Sequence, residues 1–474
     1  MKRIVVLGLI LGLSRCAFAG TPTVTVYGEE VVVTATRMKE KAKDSPVKVE
    51  VITREKIAEI GAKTVDELLR YFTTFGVAQR GGKGQSTSIF LRGANNGHTL
   101  VMIDGVEIND PSSTDRSAKL SYILVDDIER IEILYGPSGT IYGSDGMGGA
   151  INIITKKEEG LLFSVNGGDM KSVATNIARR GEVRGLRYGA SFSLLTTDGI
   201  SAASIGTEND GYENRTLSLY LGGKPLSSVE LGVNLRWTKA ENEYDGWGGD
   251  DLDNIENVKN TIIQGEAIFH SFPWWKGKVK VSSAKTERAN DEGINQLRTY
   301  LGTTEKIESQ HNFMISGIDE MVIGAEYEKD TAKTEANHKI EIDKSVENKA
   351  VYLQNNLKIG RCSLRGGVRI DDNENFGSYR THHLSSLISS PTGIRLRSSW
   401  SEGFKAPSLY QLYAPANPSW FFLGGNKDLK PEECENLELG IGIEKKYLGL
   451  EVTHFKNEFK NLITHYTDPA TGQS

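Results

Sequence analysis

Most of the chain alternates apolar and polar residues with a period of two, beginning at about residue 158. The clearest runs lie near residues 216–222, 231–237, 261–269, 278–284, 321–327, 364–370, 394–400 and 447–455. Clusters of Asn, Asp, Gly and Pro separate these runs. A period of two places successive side chains on opposite faces, so the pattern predicts a series of antiparallel β-strands. Two long polar stretches, 239–257 and 286–307, predict long loops between strands.

The alternation fits two environments, and the period alone does not choose between them. In a soluble antiparallel sheet the apolar face packs in a core and the polar face contacts water. In a membrane barrel the apolar face contacts lipid and the polar face lines a wet lumen. The number of ten-residue segments and the long polar loops favour the membrane barrel.

Residues from about 46 to 157 have a different pattern, with short β-prone runs between helix signals. Thr64 and Glu67 have the spacing of a capping box, which predicts a helix that carries Leu68 and Leu69. Closely spaced glycines fill segment 129–157 between the runs IEIL and AINII. Glycine permits positive φ and close backbone approach, so this segment is predicted to be a compact, strand-poor connection. Together these signals indicate a small α+β domain.

The first nineteen residues have the features of a secretory signal peptide. Lys2 and Arg3 precede an apolar run, and the sequence AFAG follows it. Because the run is too short to span a bilayer as a helix, we predict that the peptide is removed. A lipoprotein signal at Cys16 is the alternative, although Arg15 stands where that signal has a small residue.

Charge and composition exclude several classes of protein. The net charge is −6 and both signs are mixed along the chain, so there is no basic stripe to bind nucleic acid. After the signal peptide, no segment approaches eighteen consecutive apolar residues, so no transmembrane helix is predicted. Cys362 and Cys434 remain in the mature chain, either paired in an oxidising compartment or unpaired on neighbouring strands or turns.

Sequence motifs for catalysis are also missing. The eight histidines show neither a Ser–His–Asp motif nor HExxH spacing. The glycine-rich segment lacks GxxxxGK[ST], so a nucleotide-binding loop is disfavoured. We therefore predict that the protein is not an enzyme.

Two motifs in the N-terminal domain closely resemble one family. ERIEILYGPSGTIYGSDGMGGAINIITKK (129–157) is similar to the end of the plug domain of TonB-dependent outer-membrane transporters. FLRGANNGHTLVMIDGVEIND (90–110) is similar to the arginine-glycine and IDG plug motif of that family. The resemblance implies a mainly β protein, in which an α+β plug fills the lumen of a transmembrane antiparallel β-barrel of about 22 strands.

This resemblance divides the chain into four parts. They are a signal peptide (1–19), a periplasmic segment (20–45), a plug domain (46–157) and a transmembrane barrel (158–474). The last part has enough residues for about 14 to 16 strands, so we expect the barrel to be incomplete at its C-terminus. An incomplete barrel would have an unpaired edge, which the hydrocarbon region does not tolerate.

A β-prone segment ahead of the plug resembles the TonB box of the family. Its residues are Glu30, Val31, Val32, Val33, Thr34, Ala35 and Thr36. The resemblance implies that this segment pairs edge to edge with a strand of TonB, the energising protein of the inner membrane, through backbone hydrogen bonds. A first strand of the plug is the structural alternative.

The resemblance also implies a latch between plug and barrel. Arg92 and Arg130 lie in motifs whose arginines reach glutamates on the barrel wall, and Glu438 stands where the family has one such glutamate. A guanidinium can fork onto a carboxylate, which makes such a latch geometrically defined yet breakable. The alternative is that either arginine caps local carbonyl groups.

Three barrel segments, 207–223, 242–254 and 401–420, are similar to the cobalamin branch of the family. In that branch, aspartates of two outer loops bind calcium and order the loops for the ligand, so calcium is the implied cofactor. The matching carboxylates are Glu208, Asp210, Asp245 and Asp253, with Asp250 and Asp251 close by. Ser201 replaces one expected aspartate, and an acidic loop in solvent is the alternative.

Aromatic residues in the same outer loops are candidates for contact with the ligand. They are Tyr244, Trp247, Trp420, Phe421 and Phe422. Such side chains can stack on a large planar ligand, or can form the aromatic girdle at the membrane interface.

We therefore expect a monomeric outer-membrane receptor that takes up cobalamin or a related corrinoid with the help of TonB. An iron–siderophore receptor is the alternative within the family, although acidic outer loops suit an anionic siderophore poorly. A passive porin or adhesin is the alternative from another class, and it would need neither the box nor the plug.

Overall fold

The computed structural model describes residues 31–32, 40–72, 74–203, 206, 208–246, 253–293, 297–416, 424–445 and 448–464. The predicted signal peptide lies outside these residues. No helix in the described part of the chain is both long and apolar enough to cross a membrane. The described chain forms a small mixed domain followed by one large antiparallel sheet.

The small domain, called the plug from here on, has a five-stranded sheet at its centre. Its strands and those next to it are β1 (Val31–Val32), β2 (Glu40–Lys41), β3 (Val49–Thr53), β4 (Phe75–Gln79), β5 (Thr87–Leu91), β6 (Thr99–Ile103), β7 (Val106–Glu107), β8 (Ile128–Tyr135) and β9 (Gly149–Thr155). The central sheet has the order β3-β8-β9-β6-β7, and β6 and β9 are parallel. The helices are α1 (Arg54–Ile60), α2 (Val65–Leu69) and α3 (Gly139–Tyr142).

The plug has its own hydrophobic core. Ile52, Leu68, Ile131 and Ile151 are fully buried in it, and they come from β3, α2, β8 and β9. Burial of each such side chain contributes about 1.5 to 3 kcal/mol relative to exposure. A core shared by helices and sheet makes the plug a domain in its own right, as the sequence predicts.

The helix predicted at Thr64 exists, but its capping box does not form. Thr64 is the N-cap of α2, and its side chain makes no capping hydrogen bond. Glu67 instead accepts a hydrogen bond from the Lys63 backbone N–H at 2.9 Å and forms an ion pair with Lys83. The carboxylate is thus drawn toward a cation outside the helix, which the local sequence pattern does not include.

The glycine-rich segment contains more regular structure than predicted. The runs IEIL and AINII belong to β8 and β9, which pair antiparallel with each other. Between them, α3 forms a short helix that begins at Gly139. The expectation of a strand-poor connection is therefore wrong, because tertiary packing extends both short runs into central strands of the plug sheet.

The large sheet has fifteen strands in the described residues, each antiparallel to the next. They are β10 (Gly160–Gly167), β11 (Val173–Val183), β12 (Leu186–Ile200), β13 (Asp210–Leu226), β14 (Val229–Glu243), β15 (Asn254–Phe272), β16 (Trp275–Glu292), β17 (Leu297–Ser316), β18 (Asp319–Ala336), β19 (Lys339–Ile359), β20 (Cys362–Asn373), β21 (Gly377–Ser389), β22 (Ile394–Lys405), β23 (Glu432–Lys445) and β24 (Leu448–Lys460). A short helix, α4 (Leu409–Tyr413), follows β22. In the described residues β10 and β24 are not paired with each other, so the sheet curves around the plug without closing.

The two faces of this sheet are inverted relative to a soluble protein. Leu231 and Val233 on β14 are 46% and 52% exposed, whereas Arg236 and Thr238 on the same strand are buried. The polar face lies against the plug, and the apolar face points outward. This is the arrangement of a membrane barrel, and it resolves the ambiguity that the period of two leaves open.

The two ends of the large sheet differ in the length of their connections. Turns of two residues join β11 to β12, β13 to β14, β15 to β16 and β17 to β18 at one end. At the other end most connections are longer, although two residues also join β18 to β19. In outer-membrane barrels, short turns face the periplasm and long loops face outward. We call the two ends of the sheet the periplasmic end and the outer end accordingly.

The loop predicted at 239–257 is shorter than expected, with 244–253 between β14 and β15, and the loop predicted at 286–307 is mostly strand. β14 continues to Glu243, and β16 and β17 leave only 293–296 between them. β17 has 20 residues, whereas about 9 to 11 suffice to cross the hydrocarbon. Strand pairing therefore continues beyond the hydrocarbon into the aqueous region, where the paired strands are formed by polar residues.

Candidate functional site

The segment predicted to be a TonB box lies mostly outside the described residues. Glu30 and the residues from Val33 to Thr36 are in this group. Val31 and Val32 form β1, which pairs antiparallel with Lys41 and Glu40 of β2. The pairing role predicted for the box stays a prediction.

Arg92 lies against the barrel wall at the position predicted for the latch. Its guanidinium forms an ion pair with Glu438 on β23, and the two side chains are 7% and 2% exposed. The rings of Tyr135 and Phe455 each lie 4.6 Å from the guanidinium carbon, one from the plug and one from β24. Arg92 therefore joins plug and wall through both charge and cation–π contacts.

The second predicted latch arginine has a different partner. Nε and Nη2 of Arg130 donate to Oε1 of Glu132 at 2.9 and 2.7 Å. Both residues lie on β8, so this contact is internal to the plug. The prediction that Arg130 reaches a glutamate of the wall is corrected here, because a carboxylate two residues away on the same strand face binds the guanidinium first.

Arg116, which the sequence analysis did not select, is the centre of a larger ionic network. Its guanidinium contacts Glu107 at 2.7 Å and Asp145, both in the plug. It also contacts Asp330 at 2.6 Å and Glu328 at 3.2 Å, both on β18. Burial alone would lower the pKa of Arg116, but the surrounding carboxylates raise it, so the side chain stays charged.

The same network reaches the connection that follows β22. Lys405 donates from Nζ to Asp145 at 2.6 Å, and both side chains are buried. The next residue, Ala406, donates its N–H to Ser144 at 3.0 Å, and Ser408 donates its hydroxyl to Thr114 O at 2.7 Å. The outer end of the plug is therefore bonded directly to the segment that precedes α4.

Two more buried contacts join the plug to the wall. His98 accepts from the Asn95 N–H at Nδ1, which places its proton on Nε2, 2.9 Å from Glu432 of β23. On the opposite side, Glu256 of β15 pairs with Lys119 at 2.5 Å and accepts from the Tyr122 hydroxyl. Burial and the Glu256 carboxylate raise the pKa of Tyr122 well above its ordinary value, so its proton stays in place.

The sequence held a partial signal for these contacts. Glu328 and Asp330 lie two residues apart in an alternating segment, as inward-facing charges must. No local pattern, however, connects them with Arg116, which is more than two hundred residues away.

Three of the carboxylates predicted to bind calcium lie together at the outer end of the sheet. Glu208, Asp210 and Asp245 each offer one oxygen, and these oxygens lie within 4.8 Å of one another. Asp210 Oδ2 also accepts from the Ala202 N–H at 2.7 Å, and Asp245 Oδ2 from the Ala203 N–H at 2.5 Å. Residues 201–203 thus fold back onto the cluster and hold two of its carboxylates in place.

The remaining acidic candidates are not part of this cluster. Asp253 is described and lies outside the group of three, beside the turn at Gly293. Asp250 and Asp251 lie outside the described residues. Ser201, which replaces an expected aspartate, still points at the cluster, with its hydroxyl 3.4 Å from Asp245 Oδ2.

The donor set fits a hard divalent cation. Calcium binds oxygens at about 2.3 to 2.6 Å, so two ligands of one ion lie no more than about 5 Å apart. The three carboxylate oxygens meet this condition. They would leave positions for backbone carbonyls and water, which calcium also accepts.

Of the aromatic candidates, Tyr244 is described and lies close to the acidic cluster in sequence. Its hydroxyl donates to Glu292 of β16 at 3.3 Å, and its N–H to Asn254 O at 3.2 Å. Burial and the nearby Glu292 carboxylate raise the pKa of Tyr244. Trp247, Trp420, Phe421 and Phe422 lie outside the described residues.

The two cysteines do not meet. Cys362 begins β20 and Cys434 lies on β23, with β21 and β22 between them in the sheet, and both are free thiols. The alternative of two unpaired cysteines is therefore confirmed, whereas the disulfide and the placement on neighbouring strands are wrong. Their spacing along the chain carried no information on their separation across the sheet.

Comparisons with known proteins agree with this architecture. A family model described as the TonB-dependent receptor plug domain matches residues 41–150. A second one, described as TonB dependent receptor-like, beta-barrel, matches residues 163–474.

Among curated proteins, the chain is similar to vitamin B12 transporters named BtuB. The transporter of Photobacterium profundum is 29% identical over 467 residues, which are 94% of this chain and 72% of the relative. That of Vibrio vulnificus is 29% identical over 475 residues, with coverage of 94% and 74%.

Among solved structures, the chain is similar to siderophore receptors. The siderophore receptor PirA of Acinetobacter baumannii has a TM-score of 0.74 at 21% identity, covering 90% of this chain and 74% of the other. The ferric enterobactin receptor PfeA of Pseudomonas aeruginosa has a TM-score of 0.73 at 17% identity, with coverage of 91% and 73%. At these identities the likeness shows a common fold.

Proposed function

The chain belongs to the TonB-dependent receptor family, and on this basis we propose that it takes up cobalamin or a related corrinoid across the outer membrane. Members of this family are transporters and receptors rather than enzymes. The observation that carries the choice of ligand is the 29% identity with vitamin B12 transporters across 94% of the chain. The likeness to siderophore receptors lies below 25% identity and supports only the fold.

Transport in this scheme consists of binding followed by displacement of the plug, with no bond made or broken in the ligand. The ligand binds between the outer loops and the outer end of the plug. TonB then pairs with the box through backbone hydrogen bonds and pulls on the periplasmic segment. Ionic contacts such as Arg92–Glu438 hold the plug in place until the force applied by TonB is large enough to break them, because each member of a buried ion pair resists separation from the other.

Calcium would be held by Glu208, Asp210 and Asp245 at the outer end of β13 and β14. A bound ion would neutralise carboxylates that otherwise repel one another, and would tie residues 201–210 to the loop after β14. The two loops would then present one ordered surface to the ligand.

The proposal is tested by equilibrium binding of cyanocobalamin to the purified chain, first with calcium and then with a chelator. We expect saturable binding that weakens by about tenfold or more without calcium, a factor that corresponds to about 1.4 kcal/mol. Asp210→Asn combined with Asp245→Asn should remove this dependence, because each amide keeps an acceptor for the Ala202 or Ala203 N–H but loses the charge.

Glu341→Gln is the matched control, since Glu341 is an exposed carboxylate in β19 at the same end of the sheet and outside the cluster. Its calcium response should equal that of the unsubstituted chain. If cyanocobalamin binds equally well with and without calcium in every variant, the metal site is refuted and the proposed ligand is not. Absence of binding in a chain that is folded by circular dichroism would refute the corrinoid, and a ferric siderophore would be the next ligand to measure.

A further inference from the structure

The periplasmic base of the plug is fastened to one side of the wall. Glu40 pairs with Arg365 of β20 at 2.7 Å, and the guanidinium is buried. Lys48 pairs with Glu451 of β24 at 2.9 Å. With the Arg92 latch on β23, these contacts all lie in the arc from β20 to β24.

The opposite side of the plug base faces a cavity. A space of about 910 Å³ lies between the plug and the inner faces of β12 to β18, at the periplasmic end where Pro273 and Trp274 form a turn. Lys278, Lys280 and Glu308 line its wall, and the turn between β6 and β7 lines its plug side. On this flank the cavity separates part of the plug base from the wall, although Asp127 of the plug still pairs with Arg180 of β11.

Smaller voids continue from this cavity toward the outer end. Asp104 and Gln264 line both the large cavity and a void of about 40 Å³. Ile103 and Arg236 line that void and a second one of about 40 Å³, which reaches Lys119 near the outer loops of the plug. The three spaces follow one another along the inner faces of β14 and β15, which line all of them.

The turn Asp104–Gly105 interrupts this line. It joins β6 to β7, and both residues have positive φ, 49° and 76°. β7 is the edge strand of the plug sheet, so movement of this hairpin leaves the pairs among β3, β8 and β9 in place. It must break the bonds between the turn and β9, in which the Asp104 N–H donates to Ile153 O at 2.9 Å and the Gly105 N–H to Asn152 Oδ1 at 3.1 Å. Lys280 reaches across from the wall and donates from Nζ to Gly105 O at 2.8 Å.

We propose that the ligand crosses the lumen along β14 and β15, and that the hairpin turn Asp104–Gly105, which Lys280 ties to the wall, is the gate on this path. Lys280 is thus a positioning residue for transport. The inference rests on the proposed function, since it names the route by which a bound ligand leaves. The anchored flank keeps the rest of the plug in the lumen while the edge hairpin moves.

The test compares Lys280→Met with Lys278→Met in the full chain. Both lysines lie on β16, face the cavity and pair with Glu308, at 3.4 and 3.5 Å. Among the described contacts, Lys280 bonds to the hairpin and Lys278 does not. The two variants lose the same charge, and they differ in the bond to Gly105.

Two readouts are needed, and neither requires the identity of the ligand. Hydrogen–deuterium exchange of residues 99–107 should rise by about tenfold in Lys280→Met, because a hydrogen bond from a charged donor is lost. Cells that lack TonB and express this variant should become more sensitive to vancomycin, which an intact outer membrane excludes. Lys278→Met should match the unsubstituted chain in both.

Equal effects of the two variants would overturn the proposal, since the effect would then come from loss of a charge on the wall and not from loss of the hydrogen bond between Lys280 and Gly105. No effect of Lys280→Met would overturn it as well. Faster exchange without greater sensitivity would show that Lys280 holds the hairpin but that the hairpin is not the gate. A failure to bind cyanocobalamin would refute the proposed ligand and leave both readouts valid.

Discussion

Arg92 and Glu438 show how one pair of side chains joins two parts of the molecule. They are 346 residues apart in sequence, and both are almost completely buried. A buried charge is stable only beside its partner, so each residue depends on the other more than an exposed pair would. The positive φ of Arg92, 51°, turns the backbone so that the side chain reaches the wall.

Glu438→Gln should therefore destabilise the association of plug and barrel. The change leaves the Arg92 guanidinium buried without a counter-charge, at a cost of about 3 kcal/mol or more. Thermal unfolding followed by circular dichroism, together with protease sensitivity of the plug, measures the effect.

Glu458→Gln is the control for this substitution. Glu458 pairs with Lys456 on β24, and both side chains are largely exposed. Exposed pairs contribute little because water screens them, so no measurable change is expected. Equal effects of the two substitutions would contradict a latch role for Arg92 and Glu438.

At the scale of one element, β14 shows how a strand serves two environments at once. Over residues 231–238 its outward side chains are apolar, with Leu231 and Val233 exposed, whereas the inward Arg236 and Thr238 are polar and buried. Only a lipid environment makes this distribution favourable, because water outside would leave the apolar face uncompensated.

Val233→Arg tests this placement. Val233 lies in the middle of the outward face, and an arginine there should cost about 2 to 4 kcal/mol of folding stability in lipid. Refolding into vesicles over a urea series measures the change.

Leu226→Arg is the comparison, since Leu226 is also exposed but ends β13 at the periplasmic turn. The cost there should fall to about 0 to 1 kcal/mol, because the side chain reaches the interface. The same cost at both positions would contradict a barrel that crosses the membrane with this orientation.

At the scale of the whole molecule, the plug is anchored along the arc from β20 to β24 and borders a cavity along β12 to β18. Its N-terminal strand β3 and its hairpin β6–β7 lie at opposite edges of the plug sheet. A pull applied at the N-terminus therefore acts first on the anchored side. A movement of β3 can be transmitted to the hairpin only through β8 and β9, which lie between the two edges of the sheet.

Val33→Pro should abolish uptake while leaving binding unchanged. Proline removes a backbone donor that the proposed strand pairing with TonB requires, and the proposed site of ligand binding lies at the outer end of the molecule. Accumulation of labelled cyanocobalamin in cells, measured beside binding to purified protein, separates the two effects.

Val33→Thr is the control, because threonine keeps the backbone donor and the β propensity. It should transport normally. If Val33→Pro also loses binding, the segment is part of the folded plug and not a box.

Sequence patterns predicted features of the fold correctly wherever the cause was local. The period of two in 231–237 and 364–370 comes from strand geometry, and both runs are strands of the large sheet. The motifs at 90–110 and 129–157 lie in the plug, and the mainly β fold with a plug is confirmed. Polar composition misled at 286–307, because strand pairing needs backbone groups that every residue except proline carries.

Such local patterns could not predict contacts between residues that are far apart in sequence. Arg130 pairs inside the plug and Arg116 pairs with β18, although local sequence suggested the first for the wall and gave no reason to choose the second. The cavity beside Lys280 likewise exists only because β12 to β18 curve past one flank of the plug. The sequence by itself determined the alternation of the strands and the resemblance to the family, since these follow from short-range periodicity and motifs. The tertiary structure alone decided which face is buried, which charges meet and where space remains, because these depend on how far the open sheet carries each strand around the plug.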